Sequence, residues 1–341
     1  MNLLKKAKSN KQNLISIVVT NWNGEDYLEK CIKSLVTQNY DKKEIVLVDN
    51  ASIDNSVNLV MKKFPMVRII KNKQNVGFPA GMNIGIKASK GNYILLMNND
   101  TWIKKDFLRK LMKFYDENKY EVIAPLERRY KHEKFNKYNT TIDPLGSPAY
   151  YLPIYRKDKL FYLCGVCLFF KKKLYLETKG MDPDFFLYFE DADWFWRLSL
   201  FGKQFSYVDD IFIYHASAAS AKTDEVIKLR TFKLRNRNIP QMLIKNYSAF
   251  ALCFIMPLYF IQNLFEMIFF ILILKPRIAL TYTDGWLFNL KILKRTLKKR
   301  EWIQKRRVVG DSEIVKKMYI GSGKLLHLIE FIRLGYSYGK K

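Results

Sequence analysis

The segment YILLMNND, residues 93–100, is an apolar run that stops abruptly on two amides and a carboxylate. Such a run is typical of a buried strand. Asn and Asp are common turn formers, so an ordinary turn would account for the polar residues. A turn does not account for their order, in which one acid follows directly on a hydrophobic strand. The surrounding sequence therefore has to decide between a turn and a site.

Strand-like and helix-like segments alternate around this stretch. The β-rich runs lie at 14–20, 44–50, 67–72, 93–99 and 121–126. The clearest helical period lies at 25–39, and weaker periods lie at 54–64, 78–89 and 105–118. Strands that alternate with helices predict an α/β fold with a mostly parallel central sheet covered on both faces.

Three of the predicted strands end in polar residues. The first ends in TNWNG (20–24), the second in DNAS (49–52) and the fourth in NND (98–100). Ligands of parallel sheets bind at the carboxyl ends of the strands. Each segment taken singly is explained by a turn or a helix cap, but together they predict the mouth of a binding site.

The composition restricts the class of partner. The chain has 341 residues, 59 Lys and Arg against 32 Asp and Glu, and a formal charge of +27. Such a balance favours acidic partners, namely nucleic acids, anionic membranes or phosphorylated small molecules. Its 4 cysteines do not form the framework of a small secreted protein. Residues 1–13 form a basic leader, and the apolar run after it is too short for a signal peptide.

Four blocks in order resemble a known family. They are SIVVTNWNGEDYLEKCIKSLVTQNY (16–40), EIVLVDNASIDNS (44–56), NVGFPAGMNIGIKASKGNYILLMNNDT (75–101) and FFLYFEDADWFWRL (185–198). They resemble the family-2 inverting glycosyltransferases, especially the rhamnosyltransferase-like branch that builds bacterial surface polysaccharides. The resemblance implies a GT-A-type nucleotide-sugar-binding domain over 14–220, a divalent cation (Mn²⁺ or Mg²⁺) and an acidic catalytic base.

The resemblance also implies which residues hold the nucleotide sugar. The first strand end and the acid after the second strand would hold the base, and an Asp carboxylate can accept the imide N–H of uracil or thymine. Trp22 would stack on that base, although a packed loop tryptophan remains the alternative. The full predicted donor set is Thr20, Trp22, Asn23, Asp49, Asn75, Gly77, Asn83, Asn98 and Asn99.

Asp100 occupies the place of the family's D-x-D-like motif, in which Asn98 replaces the first acid. Asp100 would ligate the cation, which prefers oxygen ligands. The resemblance gives His215, at the end of the strand predicted over 205–217, the second metal-ligand role. A lone histidine is otherwise more often structural.

Asp191 matches the family's general base, and Glu190 would orient it or help to raise its pKa. Acids at a helix start are also common for dipole reasons alone. Trp194 and Trp196, just beyond, would offer flat faces to the acceptor sugar, although packing is equally plausible for one of them, since residues two apart on a helix point in different directions.

The C-terminal region, 221–341, is predicted to be helical, basic and membrane-associated. Residues 249–274 are the most apolar stretch, interrupted by Pro257, Gln262, Asn263 and Glu266. Residues 291–307 carry nine basic residues and one acid, which favours anionic lipid. An interfacial or re-entrant segment fits best, and a true span or a buried helix pair in a dimer is the alternative.

The sequence thus predicts an inverting glycosyltransferase on the cytoplasmic side of the plasma membrane, peripheral or monotopic. It would move a sugar from a UDP- or dTDP-sugar to a hydroxyl of a glycan or lipid-linked glycan. The alternatives are a non-catalytic sugar- or nucleotide-binding module and a basic nucleic-acid-binding protein. We expect no nucleic-acid partner, because the basic residues concentrate beside the apolar stretch, and the sequence leaves a homo-oligomer open.

Overall fold

The computed structural model describes residues 13–129, 135–136, 140–149, 160–216 and 225–325. Almost all of the basic leader, and much of the irregular segment predicted over 127–160, lie outside the described residues.

The described strands form one sheet. They are β1 (Ile15–Asn21), β2 (Lys43–Asp49), β3 (Arg68–Lys71), β4 (Tyr93–Asn98), β5 (Thr101–Ile103), β6 (Val122–Arg129), β7 (Phe135–Asn136), β8 (Cys167–Lys171) and β9 (Phe205–His215). All five β-rich runs of the N-terminal region are strands, as predicted.

Some of the described α-helices lie between strands along the chain, and the others follow the last strand. They are α1 (Glu25–Val36), α2 (Ser56–Lys63), α3 (Phe78–Ala88), α4 (Phe107–Glu117), α5 (Lys172–Glu177), α6 (Glu190–Leu200), α7 (Glu225–Asn246), α8 (Ala249–Leu272), α9 (Pro276–Gln304) and α10 (Asp311–Val315).

The strand order explains why one edge of the sheet collects polar groups. The sheet runs β3-β2-β1-β4-β8-β6-β9-β5, with β7 paired to β6. The first four strands in this order are mutually parallel, and β8 is antiparallel to β4. The carboxyl ends of β1, β2 and β4 therefore lie side by side, as predicted.

The helices cover the sheet with apolar faces. In α1, the buried residues are Leu28, Cys31, Ile32 and Leu35, which follow the predicted helical period. Strand β1 is buried along its whole length, as a central strand covered on both faces should be.

The chain divides into two compact units. The first contains the whole sheet and comprises residues 1–137, 163–186 and 204–218. The second comprises 138–162, 187–203 and 219–341. The predicted boundary at 220 separates α6 from α7, whereas both helices lie in the second unit because buried side chains of α6 bond to α7.

Helix α8 runs without a break through Pro257. This differs from the re-entrant form, in which the polar residues would end the apolar segment. A proline removes only one backbone hydrogen bond from a helix, and Asn263 is buried within the second unit. Among the described residues, α8 is the one helix long and apolar enough to cross a membrane.

Candidate active site

The strand register in the first unit places the predicted donor residues side by side. Thr20 is the Cα partner of Asn98 across β1 and β4. Asn21 is the partner of Asp49 across β1 and β2. The first, second and fourth strand ends thus form one continuous polar edge.

Asn21, which the sequence did not single out, is the centre of this edge. Its Nδ2 donates to Ser52 Oγ at 3.0 Å and to Ser56 Oγ at 2.9 Å. Its Oδ1 accepts a hydrogen bond from Asn99 Nδ2 at 2.8 Å. A Cβ on Gly24 would come within 2.3 Å of both Asn21 Oδ1 and Asn99 Nδ2, so only glycine fits beside this bond.

Asp49 and Asn23 organise the loop after β2. Asp49 is buried, and its Oδ1 accepts from Ser52 Oγ at 2.5 Å. Asn23 Oδ1 accepts from the backbone N–H of Ile53 at 2.9 Å. Trp22, between the two strand ends, leaves 47% of its surface exposed. This edge therefore combines a buried, hydrogen-bonded carboxylate, Asp49, with an accessible aromatic ring, Trp22.

Two buried polar atoms at the edge have no hydrogen-bond partner among the described residues. They are Thr20 Oγ1 and Asn98 Oδ1, which lie on neighbouring strands in register. An unsatisfied buried polar atom costs roughly 1–3 kcal/mol, so each one calls for an explanation. A bound ligand that bonds to this edge would supply the missing partners.

The segment around Gly77 closes the next side of the edge. Asn75 Oδ1 accepts from the N–H of Gly77 at 2.9 Å. Gly77 has a φ of 86°, and a Cβ there would lie 2.4 Å from the carbonyl oxygen of Phe186. Both groups of the Asn83 amide are used locally, because Oδ1 accepts from Tyr175 and Nδ2 donates to the carbonyl of Met181.

Asp100 and His215, the two predicted metal ligands, are brought together. Asp100 Oδ1 lies 3.2 Å from His215 Nε2. They meet because β5 pairs with β9 and places Thr101 opposite His215. The other ring nitrogen, Nδ1, lies 2.9 Å from Glu127 Oε1. Burial lowers the pKa of His215, but the hydrogen bonds to Asp100 and Glu127 outweigh it and raise the pKa to about 9.

Glu127 is the candidate site residue that the sequence least reveals, because it lies 88 positions from His215. A carboxylate on one ring nitrogen holds the other nitrogen in position as a metal ligand. The sequence signal was only an acid at the end of a predicted strand.

Asp100 and His215 are side chains that fit a divalent cation held jointly with a diphosphate. Asp100 offers a carboxylate oxygen and His215 an imidazole nitrogen, both of which such cations accept. No group of three or more ligating side chains occurs among the described residues. Asp100 and His215 would hold such a cation together with phosphate oxygens and water, as Mg²⁺ is usually held with nucleotides.

Glu190 and Asp191 form the start of α6 in the second unit. Glu190 is buried, and its Oε2 has no hydrogen-bond partner among the described residues. Burial and the neighbouring charge of Asp191 raise the pKa of Glu190 to about 8. Asp191 is half-buried, and its Oδ1 accepts from the N–H of Ala192 at 2.7 Å.

Glu190 should make the stability of the chain fall as pH rises. Between about pH 4.5 and about pH 8 the native state keeps a proton that the unfolded state has lost, so the free energy of unfolding decreases through this window. A tenfold difference in proton affinity is worth about 1.4 kcal/mol. We expect Glu190→Gln to gain at least about 1 kcal/mol over the wild type between pH 5 and pH 8, measured by urea unfolding.

The exposed Glu117 on α4 provides the control. Glu117→Gln should track the wild type at every pH. If the free energies of unfolding of Glu190→Gln and of the wild type change with pH in parallel, the pKa of Glu190 is not raised in the folded protein.

Trp194 and Trp196 do not lie where the sequence placed them. Both have no exposed surface. The Trp196 ring packs edge-on against Tyr247 at 4.7 Å and against Phe161 at 5.4 Å. A ring with no exposed surface cannot stack on a sugar, so packing explains these residues and their assignment to the acceptor is corrected.

The comparisons with known proteins agree with this geometry. Residues 16–178 match the Glycosyl transferase family 2. The poly(ribitol-phosphate) beta-glucosyltransferase of Bacillus spizizenii is 30% identical over 212 residues, covering 59% of this chain and 32% of that protein. The glycosyltransferase GlyA of Streptococcus pneumoniae is 37% identical over 102 residues, which cover 29% of this chain and 14% of that protein. The chain thus spans a third or less of the length of these two relatives.

Solved structures share the fold. The mannosyltransferase PcManGT from Pyrobaculum calidifontis, in complex with GDP-Man and Mn²⁺, aligns with a TM-score of 0.52 at 13% identity, covering 89% of this chain and 85% of that one. GalNAc-T7 with UDP, GalNAc and Mn²⁺ aligns with a TM-score of 0.50 at 16% identity, covering 60% and 44%. The predicted GT-A-type α/β fold is confirmed, and residues 16–178, just under half of this chain, form a Glycosyl transferase family 2 domain.

Proposed function

We propose that this chain is a metal-dependent, inverting glycosyltransferase that uses a UDP- or dTDP-sugar in polysaccharide synthesis. The observation that carries the proposal is the polar edge of β1, β2 and β4. There, Thr20 Oγ1 and Asn98 Oδ1 are buried without a hydrogen-bond partner among the described residues, and the carboxylate of Asp49 is buried at the end of the neighbouring strand β2. Asn98 lies two positions before Asp100, which pairs with His215.

The donor would bind along this edge. Asp49 would accept the imide N–H of the base, because a buried carboxylate selects a donor group. Trp22 would cover the base with its exposed ring, and Thr20 and Asn98 would bond to the nucleoside. Asn21 holds the strand ends in register and Asn99 is fixed to it, so both position the edge.

Asp100 and His215 would hold Mn²⁺ or Mg²⁺, and Glu127 would orient the imidazole. Once bound, the cation would neutralise the charge on the departing nucleoside diphosphate. Mn²⁺ accompanies the nucleotide in both solved structures described above.

Asp191 would remove the proton from the acceptor hydroxyl, whose oxygen then attacks the anomeric carbon as the bond to the diphosphate breaks. This single displacement inverts the configuration at that carbon. Glu190 is held neutral up to about pH 8 by its raised pKa, so it would leave Asp191 as the charged member of the pair at neutral pH.

The acceptor would be a hydroxyl of a glycan or a lipid-linked glycan, and the enzyme would work on the cytoplasmic side of the membrane. The Bacillus spizizenii relative is a glucosyltransferase of poly(ribitol-phosphate), and chondroitin synthase of Escherichia coli is 23% identical over 244 residues. The first name describes glucose transfer to a polymer and the second describes the synthesis of one, which supports a polymeric acceptor here.

A thermal-shift screen of nucleotide sugars with Mn²⁺ or with EDTA tests the proposal. We expect UDP- or dTDP-sugars to stabilise the protein with Mn²⁺, and the shift to fall with EDTA. Stabilisation by random-sequence RNA or DNA at physiological salt, with none by any nucleotide sugar, would favour the nucleic-acid alternative instead.

Asp100→Ala should weaken binding of a nucleoside diphosphate more than binding of the nucleoside. Asp100 is the one acid of the motif NND, so it supplies most of the attraction of that motif for the cation. Calorimetry with UDP and uridine, or with dTDP and thymidine, should show that the variant has lost the difference between Mn²⁺ and EDTA. Uridine or thymidine should bind both proteins about equally.

Asp116→Ala, which removes an exposed carboxylate on α4, is the matched control and should keep the gain from Mn²⁺. If the gain survives in Asp100→Ala, the cation is held elsewhere and the motif NND is a plain turn.

A further inference from the structure

Helix α8 presents a continuous apolar face that no described residue covers. Its outward residues recur at intervals of three, four and seven, which places them on one stripe. Each has at least 45% of its surface exposed: Phe250, Phe254, Ile261, Phe265, Ile268 and Leu272. No charged side chain interrupts this stripe, which we call the α8 face.

The opposite side of α8 is polar and committed to the second unit. Tyr259 and Asn263 are buried there. Glu266 accepts a hydrogen bond from Tyr282 of α9 at 2.5 Å and pairs with Lys324 at 2.7 Å. Glu266, which interrupts the apolar stretch in the sequence, is therefore turned away from the α8 face.

Helices α8 and α9 run antiparallel, and their contacts fix the level of each residue. The Phe260 ring lies 4.7 Å from that of Trp286, and Phe270 lies 6.4 Å from Tyr282. Asp284 lies between these two contacts on α9, so it is at the level of residues 260–270 of α8. It pairs with Lys233 of α7 at 2.6 Å.

This ion pair decides between two orientations. The side chains of Lys233 and Asp284 are 43% and 45% exposed. If α8 crossed a bilayer together with its partners, both charges would lie near the hydrocarbon centre, where insertion scales give a cost equivalent to roughly a 100-fold loss for each. If α8 lay in the plane of the bilayer, they would remain in water.

The residues that follow α8 in the chain are rich in exposed cations, which favours an anionic bilayer. Exposed cations lie at the turn after α8 and along the second half of α9: Lys275, Arg277, Lys291, Lys294, Arg295 and Lys298. A mainly apolar groove of about 480 Å³ runs beside α8, lined by Leu258, Ile261, Phe265, Leu145 and Ile320, with Gln262 and Glu266 also in its wall. Such a groove offers room for an acyl chain.

We propose that α8 lies in the plane of an anionic lipid bilayer, with the α8 face among the acyl chains and without crossing. In-plane helices of this kind bury their apolar side by about 5–10 Å. The in-plane position of α8 refines the membrane location given under the proposed function. It rests on that location and not on the proposed sugar transfer. The test below measures lipid contact and depth, so it can fail while sugar transfer succeeds, and the reverse.

Flotation of the full chain with vesicles of phosphatidylcholine and phosphatidylglycerol tests the surface. We expect Ile261→Asp combined with Phe265→Asp to lower vesicle affinity by at least about tenfold, because two apolar side chains that enter the acyl chains of the bilayer are lost. Met66→Asp, at an exposed apolar residue of the first unit, should bind as the wild type does. Lys291→Ala and Lys294→Ala should each cost roughly fivefold, and only with the anionic lipid.

Depth measurements distinguish the orientations. In a background with Cys253→Ser and Cys164→Ser, spin labels at Phe250→Cys, Ile261→Cys and Ile268→Cys should lie at one similar shallow depth, and a label at Asp284→Cys should stay in water. A label at 261 near the bilayer centre, with 250 at an interface, would establish a span and overturn the proposal. A chain that stays unbound in all vesicles and has twice the 40.5 kDa mass would assign the α8 face to a second copy, which also overturns it.

Discussion

Replacing Asp191 by Asn should lower sugar transfer by about 10²–10⁴-fold, the usual contribution of a general base. The amide cannot take the proton of the acceptor hydroxyl, but its size and its hydrogen bond to the N–H of Ala192 are retained. Donor affinity should stay within about a factor of two, because Asp191 is not among the residues assigned to the nucleotide. Initial rates with a labelled donor, together with calorimetry of the nucleoside diphosphate, measure both quantities.

Asp210→Asn, at an exposed carboxylate of β9, is the matched control. It should keep wild-type turnover. If Asp191→Asn retains more than about a tenth of the wild-type rate, Asp191 is not the base.

Replacing Asp193 by Asn should destabilise the protein by about 3–5 kcal/mol, the range for breaking a buried ion pair from one side. Asp193 has no exposed side-chain surface, and its carboxylate pairs with Lys245 Nζ at 3.0 Å and with Arg197 Nε at 3.1 Å. Both cations are nearly buried, so losing the charge leaves them poorly compensated. The loss is large compared with a typical stability of about 5–15 kcal/mol.

Thermal unfolding and soluble yield measure this effect, with Asp106→Asn as the control. Asp106 pairs with Lys110 at 2.5 Å on the surface, with about half of each side chain exposed. Surface pairs are worth about 0–1 kcal/mol, so this control should unfold close to the wild type. If the two variants lose the same small amount, the Asp193 cluster does not hold α6 to α7.

The sequence predicts most of the parallel sheet because local patterns carry it. Alternating strand and helix periods locate β1 to β4, and the polar residues after them mark the edge where ligands bind. That His215 returns to Asp100 was predicted only through the family resemblance, and the pairing of β5 with β9 that joins them was not predicted. No spacing links positions so far apart.

What the sequence could not predict depends on contacts between distant segments. Glu127 reaches His215 and Lys245 reaches Asp193 only after the chain has folded. The opposite error occurred with Trp194 and Trp196, because an aromatic beside a catalytic motif looks the same in sequence whether it is buried or open. The orientation of Glu266 toward Tyr282 likewise depends on which face of α8 meets α9.

Release of nucleoside diphosphate from a nucleotide sugar is the most direct test of the proposed activity. The wild-type chain should release UDP or dTDP from one donor of the stabilising class when Mn²⁺ is present. EDTA should stop the release and added Mn²⁺ should restore it. A protein that binds nucleotide sugars but releases no diphosphate, with Mn²⁺ and with glycan and lipid-linked acceptors supplied, would be a binding module and would contradict the account.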